Sequence, residues 1–309
     1  MDAADSTQPA AATLSQRWQS RIRFVLGVAI VWAGLHFVAD RLLLGRGLHR
    51  PVVLLVSDAG LARGLAAGVA LAVAGVVGGF AAGGASPMRV LSAVGWALAI
   101  WAAGGGTIDD WLIRANVMPG KPTAAAYWPL LADYAFFAAV LPLIAVLAAV
   151  LQGRDATRGA LHRLLPLTAT PKQKLDGLLA LLATSALAAG LIIILSGPKL
   201  SATHRGQAYF AVLVSFYAAT LLARRLTSAS HSAWYWPAPL IVGFVGVGLA
   251  AFQPSLGGAY AYTDVIPASA LVRPLPLEMV GVGLLGVAWG LRSKLLGPPA
   301  PPPDDGPRD

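Results

Sequence analysis

The chain has 309 residues, 57% hydrophobic and 12% charged, with a formal net charge of +9. That charge content is about half the roughly 25% of a soluble domain, too little to cover a water-facing surface, and it points to a chain solvated by lipid. No cysteine is present, which excludes disulfides, thiolate metal sites, iron–sulfur clusters and any other Cys-ligated cofactor.

Residues 1–21 read as a polar cytoplasmic tail. The first apolar stretch, about 22–40, carries His36 and Asp40 where a cleavage site would fall, so it is expected to be a retained anchor and not a signal peptide. Further spans are expected at about 64–85, 90–108 and 130–151, then 177–197, 206–223, 238–253 and 277–296. The last is the weakest, because Glu278 and Arg292 bracket a short apolar run; it crosses only if both side chains snorkel to opposite interfaces. All must be helices, since backbone amides in lipid need internal partners. The fold class is therefore all-α, a polytopic transmembrane helix bundle of about eight spans. Residues 22–151 make a first four-span half and 177–296 a second, separated by a basic loop at 152–176. The long third-to-fourth connections in both halves suit a duplicated unit, without a residue-level repeat. Within the basic loop, Ala156 to Leu165 can lie as a short helix on the inner leaflet. Thr170-Pro171-Lys172-Gln173 then has the form of a capped helix start. The Pro-rich tail 297–309 is expected to be disordered.

Lys and Arg set the orientation. With the N-terminus inside, fourteen basic residues fall on the cytoplasmic side and nine outside, which favours N-in/C-in. The basic residues bracket apolar segments, so the charge fits membrane orientation and anionic lipid at the 152–176 loop, and nucleic acid is not an expected partner. The compartment these features suit is a bacterial inner (plasma) membrane.

Chemistry-bearing residues gather on the outer side. His36, Asp40, Asp109, Asp110, Asp133, Asp264 and Glu278 lie at outer loops or outer helix ends. In a functional reading they converge on a pocket. His36, Asp40, Asp109, Asp110 and Asp133 are then the catalytic candidates, and His36, Asp40, Asp264 and Glu278 the candidate ligands of a divalent metal. In the plainer reading each acid sits at a boundary because water is near. The strongest element is the pair His36 and Asp40, four apart and so on one helix face. Thr107 with Asp110 has the spacing to cap a short helix after the Gly104–Gly106 run.

Gly281 to Gly286 matches G-x-G-x-x-G, but within an apolar span and with no strand before it; helix packing explains it better than a nucleotide. Gly75, Gly79 and Gly83 are read the same way. Tyr127-Trp128, Trp234 to Trp236 and Tyr260/Tyr262 suit interfacial aromatic belts. Gln207, Tyr209, Ser215 and Tyr217 should turn inward from lipid. Two functions compete. One is a non-catalytic membrane component, either a subunit bound to a membrane-protein partner or a passive permease. The other is a membrane enzyme with an extracytoplasmic His/carboxylate site.

Overall fold

A computed structural model describes residues 14–44, 53–55, 60–115, 117, 124–164, 170–196, 204–227, 229, 231–257, 259–261 and 264–293. The tail 297–309, most of the N-terminal tail, and Tyr262 lie outside the described residues, as does the side chain of Asp264.

The chain forms the expected polytopic helical bundle. Helix α1 (Leu14–Gly34) continues through one π-helical turn (Leu35–Ala39) into α2 (Asp40–Leu43). Then come α3 (Leu61–Gly83), α4 (Pro87–Ala103), the short α5 (Ile108–Arg114), α6 (Ala124–Val150) and α7 (Arg154–Leu164). The second half holds α8 (Pro171–Leu195), α9 (Arg205–Leu226), α10 (Ala238–Phe252), α11 (Pro254–Gly257) and α12 (Pro276–Arg292). Among the described residues the only strands are β1 (Ala259–Ala261) and β2 (Asp264–Ile266), an antiparallel ribbon in the loop before α12.

Among the described residues, six helices are long and apolar enough to cross a membrane: Leu14–Leu43, Leu61–Gly83, Ala124–Val150, Pro171–Leu195, Arg205–Leu226 and Ser232–Phe252. The pair α4 and α5, bent by 59°, makes a seventh if counted as one span. Helix α12 has 17 residues, about 25 Å at the helical rise. It is the innermost helix, buried along nearly its whole length against α9 and α4. From hydropathy it is the weakest span, with Glu278 expected at the interface. The helix is indeed too short to count among the six, but Glu278 is corrected: it is 4% exposed and turns into the bundle. Neighbouring helices, not lipid, surround α12, so its modest length and flanking charges cost little.

Local chemistry sets the helix ends. Thr170 Oγ1 accepts from the Gln173 N–H, and Gln173 Oε1 accepts from the Thr170 N–H, the reciprocal cap expected at the start of α8. Thr107 and Asp110 make the same exchange at α5. Helix α7 folds against α6 and α4, burying Ala160 and Leu164. The glycines of α12 are packing surfaces: a Cβ on Gly281 would stand 2.9 Å from the Ala99 nitrogen, and one on Gly286 2.6 Å from the Leu213 oxygen. Gly75 and Gly79 likewise take Ile144 and Val90. Gly83 differs, since its φ of +106° ends α3.

Candidate functional site: a histidine–carboxylate cleft

The π-helical turn inserts an extra residue just before Asp40, and such turns often mark functional positions. His36 Nδ1 lies 3.2 Å from Asp40 Oδ2. The other carboxylate oxygen accepts from Trp101 Nε1–H at 2.9 Å, so α4 holds the acid of α2 in place. Trp32 stacks on the imidazole with ring centres 4.9 Å apart and planes 7° from parallel. The pair is thus fixed from three sides while the His36 side chain stays 47% exposed. With Nδ1 engaged by Asp40, Nε2 is the nitrogen left for a ligand.

These residues face a cleft of about 320 Å³. Its walls are Trp32, Leu44, Ile100, Trp101 and Leu277, together with the Gly104–Gly106 loop. His36 stands about 20 Å along the helix axis from Arg23 at roughly 1.5 Å per residue.

Behind the glycine loop lies a second cluster. Arg205 Nε donates to Glu278 Oε1 at 3.2 Å, Nη1 to the Ala103 carbonyl at 2.6 Å, and Nη2 to the Gly105 and Gly106 carbonyls at 2.8 Å each. Glu278 Oε2 accepts the Leu275 N–H at 3.0 Å. Arg273, 4% exposed, donates to the Ser196 carbonyl at 3.0 Å and to Pro267 at 3.4 Å. Burial pushes its guanidinium below the ordinary arginine value, and the charge of Asp109 opposes that. Asp109, Arg205, Arg273 and Glu278 share a void of only about 20 Å³. The cluster therefore braces the loop that forms one wall of the larger cleft.

The candidates divide accordingly. His36 and Asp40 come together. Asp109 and Glu278 belong to the bracing cluster, and Asp110 is exposed and spent on its cap. Asp133 is fully buried, and its carboxylate accepts from the Leu54 and Leu55 amides at 2.7 and 2.9 Å. The expected span of about 130–151 puts it in the first turn, at a boundary near water. The structure corrects this: α6 begins at Ala124, and residues 53–55 fold inward and bring their amide donors to it. Among the described residues no three His, Asp or Glu side chains gather closely enough to hold a metal ion. Of the four proposed ligands, His36 and Asp40 hold each other, Glu278 is committed to Arg205, and the Asp264 side chain lies outside the described residues.

Sequence reasoning missed Trp32, Trp101, Arg205 and Arg273. The two arginines did carry a signal, since basic residues on the outer side run against the usual bias. Comparison with protein families, characterised proteins and solved structures finds no match to this chain. What the fold defines is a class, a multi-pass helical protein built for a membrane.

Proposed function

We propose that this protein is a non-catalytic membrane component whose His36 cleft binds an amphipathic ligand, in the manner of a complex subunit or a passive permease. We place it in the bacterial inner membrane with both ends cytoplasmic, so that the cleft opens at the outer interface. The observation that supports this reading is the cleft's lining: aromatic and aliphatic walls with one polar corner, His36 and Asp40. Such a surface suits a molecule with an apolar body and a hydrogen-bonding head. Among the described residues the lining contains no hydroxyl, amine or thiol side chain that could serve as a nucleophile.

A second reading rests on the pair itself. A carboxylate that fixes Nδ1 leaves Nε2 oriented as a general base, which suits an enzyme acting on a water or on the ligand's own hydroxyl. One experiment separates the two: gentle extraction of wild type, His36→Ala, Asp40→Asn and Trp101→Phe, with mass spectrometry of the small molecules that co-purify. If the cleft only binds, the variants retain about tenfold less of one molecule, chemically unchanged. If it catalyses, wild type converts the molecule and His36→Ala holds it unconverted. Equal recovery from all four proteins, with no conversion, rejects both.

A further inference from the structure

We propose that the opposite end of the bundle carries a phosphate-binding cleft. The first cleft touches the end of α4 and the glycine loop after it, between Ile100 and Gly106, whereas this one touches its start, at the N-cap Ser86 and at Pro87 and Met88. It is independent of the His36 cleft. Its volume is about 480 Å³, and it is also lined by His162 and Arg163 from α7, Arg224 from α9, His231 and Ser232, and Leu291 of α12.

Among the described residues the lining carries two guanidinium groups, two imidazoles and two hydroxyls, and no carboxylate. Arg224 is held in place, because its Nη1 donates to the Gly290 and Leu291 carbonyls at 2.9 and 3.0 Å. The His162 and His231 rings lie 5.9 Å apart. Ser86 occupies the N-cap of α4, yet its hydroxyl makes no capping bond, which leaves it available to a ligand. Basic residues that merely mark the inner side of a membrane point outward into water. Here they line a concavity built by separate elements, with His162 and Arg163 exposed, Arg224, His231 and Ser232 half-buried, and the start of α4 contributing Ser86, Pro87 and Met88. That combination of guanidinium groups, imidazoles and hydroxyls, one of the guanidiniums held in place, is the chemistry that recognises phosphate oxygens. Basic pockets between helices on the cytoplasmic side suit anionic lipid headgroups. A free phosphate or a phosphorylated solute presents the same oxygens.

The test uses the full chain in phosphatidylcholine nanodiscs. Either phosphatidylglycerol is included in the disc or inorganic phosphate is added to the buffer, and the thermal unfolding midpoint is followed against probe concentration. One of the two probes is expected to raise the midpoint. Arg163→Ala and His231→Ala should each weaken the apparent affinity about tenfold. Arg158→Ala, on the same helix but outside the lining, should change it less than about twofold. A response to phosphatidylglycerol identifies a lipid headgroup, and a response to inorganic phosphate identifies a soluble source. Arg163→Lys, which keeps the charge and loses the planar fork, should give an intermediate affinity. The proposal is overturned if neither probe shifts wild type, or if Arg158→Ala weakens the response as much as Arg163→Ala, since the effect is then general surface charge.

Discussion

Asp40 and Asp133 present the same carboxylate to different surroundings. Asp40 is a quarter exposed and takes its bonds from an imidazole and an indole, so it can hold a second group in readiness. Asp133 has no exposure and takes its bonds from two backbone amides, so it anchors a loop. Asp133→Asn keeps the shape but removes the charge and one acceptor. It should cost about 1–3 kcal/mol, read as a lower unfolding midpoint, with faster hydrogen exchange at the Leu54 and Leu55 amides. Unchanged exchange at those amides would rule out the anchoring role. Arg205 and Glu278 allow a double-mutant cycle. Arg205→Gln leaves a buried carboxylate without its partner and should cost about 3–5 kcal/mol. Adding Glu278→Gln should recover part of that loss, and strict additivity would mean the pair is not coupled. The His36–Asp40 pair was legible in the sequence because both residues lie on one helix, four apart. The Arg205 clamp was not, because its partners Ala103, Gly105, Gly106 and Glu278 come from segments that only tertiary packing brings together. For the same reason Asp133 reads as a boundary acid until residues 53–55 are seen to fold onto it.

At the scale of the helix, close approach decides which glycines matter. On α12, Gly281 lies against the backbone of α4, where neither partner has a flexible side chain to move aside. Gly281→Ala should therefore destabilise by about 1–3 kcal/mol. Gly248 on α10 has nothing within 4 Å of an added Cβ. Gly248→Ala should be neutral or stabilise by up to about 1 kcal/mol through helix propensity. Unfolding of both variants in the same detergent checks the contrast, and equal effects would show that α4 and α12 can separate at little cost. Element boundaries divide along the same line between local and non-local causes. The caps at Thr107 and Thr170 could be read directly, since each is a reciprocal bond within four residues. The burial of α12 could not, because hydropathy reports affinity for lipid, while this helix is surrounded by α4, α9 and α10. A helix sheltered by protein needs small residues more than apolar ones, and its sequence spends four glycines on that.

The two clefts give the whole molecule an internal ruler. Leu277 lines the His36 cleft and Leu291 the basic one, so α12 runs from one end of the bundle to the other, antiparallel to α4. Those residues are about 21 Å apart along the helix, and whatever thickness α4 crosses, α12 crosses too. The absence of cysteine makes this directly testable. Single cysteines placed at Ala115, His204, Arg158 and Arg292 can be labelled in spheroplasts with a membrane-impermeant maleimide. N-in/C-in orientation with α12 crossing predicts labelling at Ala115→Cys and His204→Cys from outside. Arg158→Cys and Arg292→Cys should label only after permeabilisation. Labelling of Arg292→Cys together with Ala115→Cys would mean that the α4–α12 pair re-enters instead of crossing. Full inversion of the pattern would put the basic cleft outside and the His36 cleft in the cytoplasm. The ligand sought for each cleft would then have to come from the other side of the membrane.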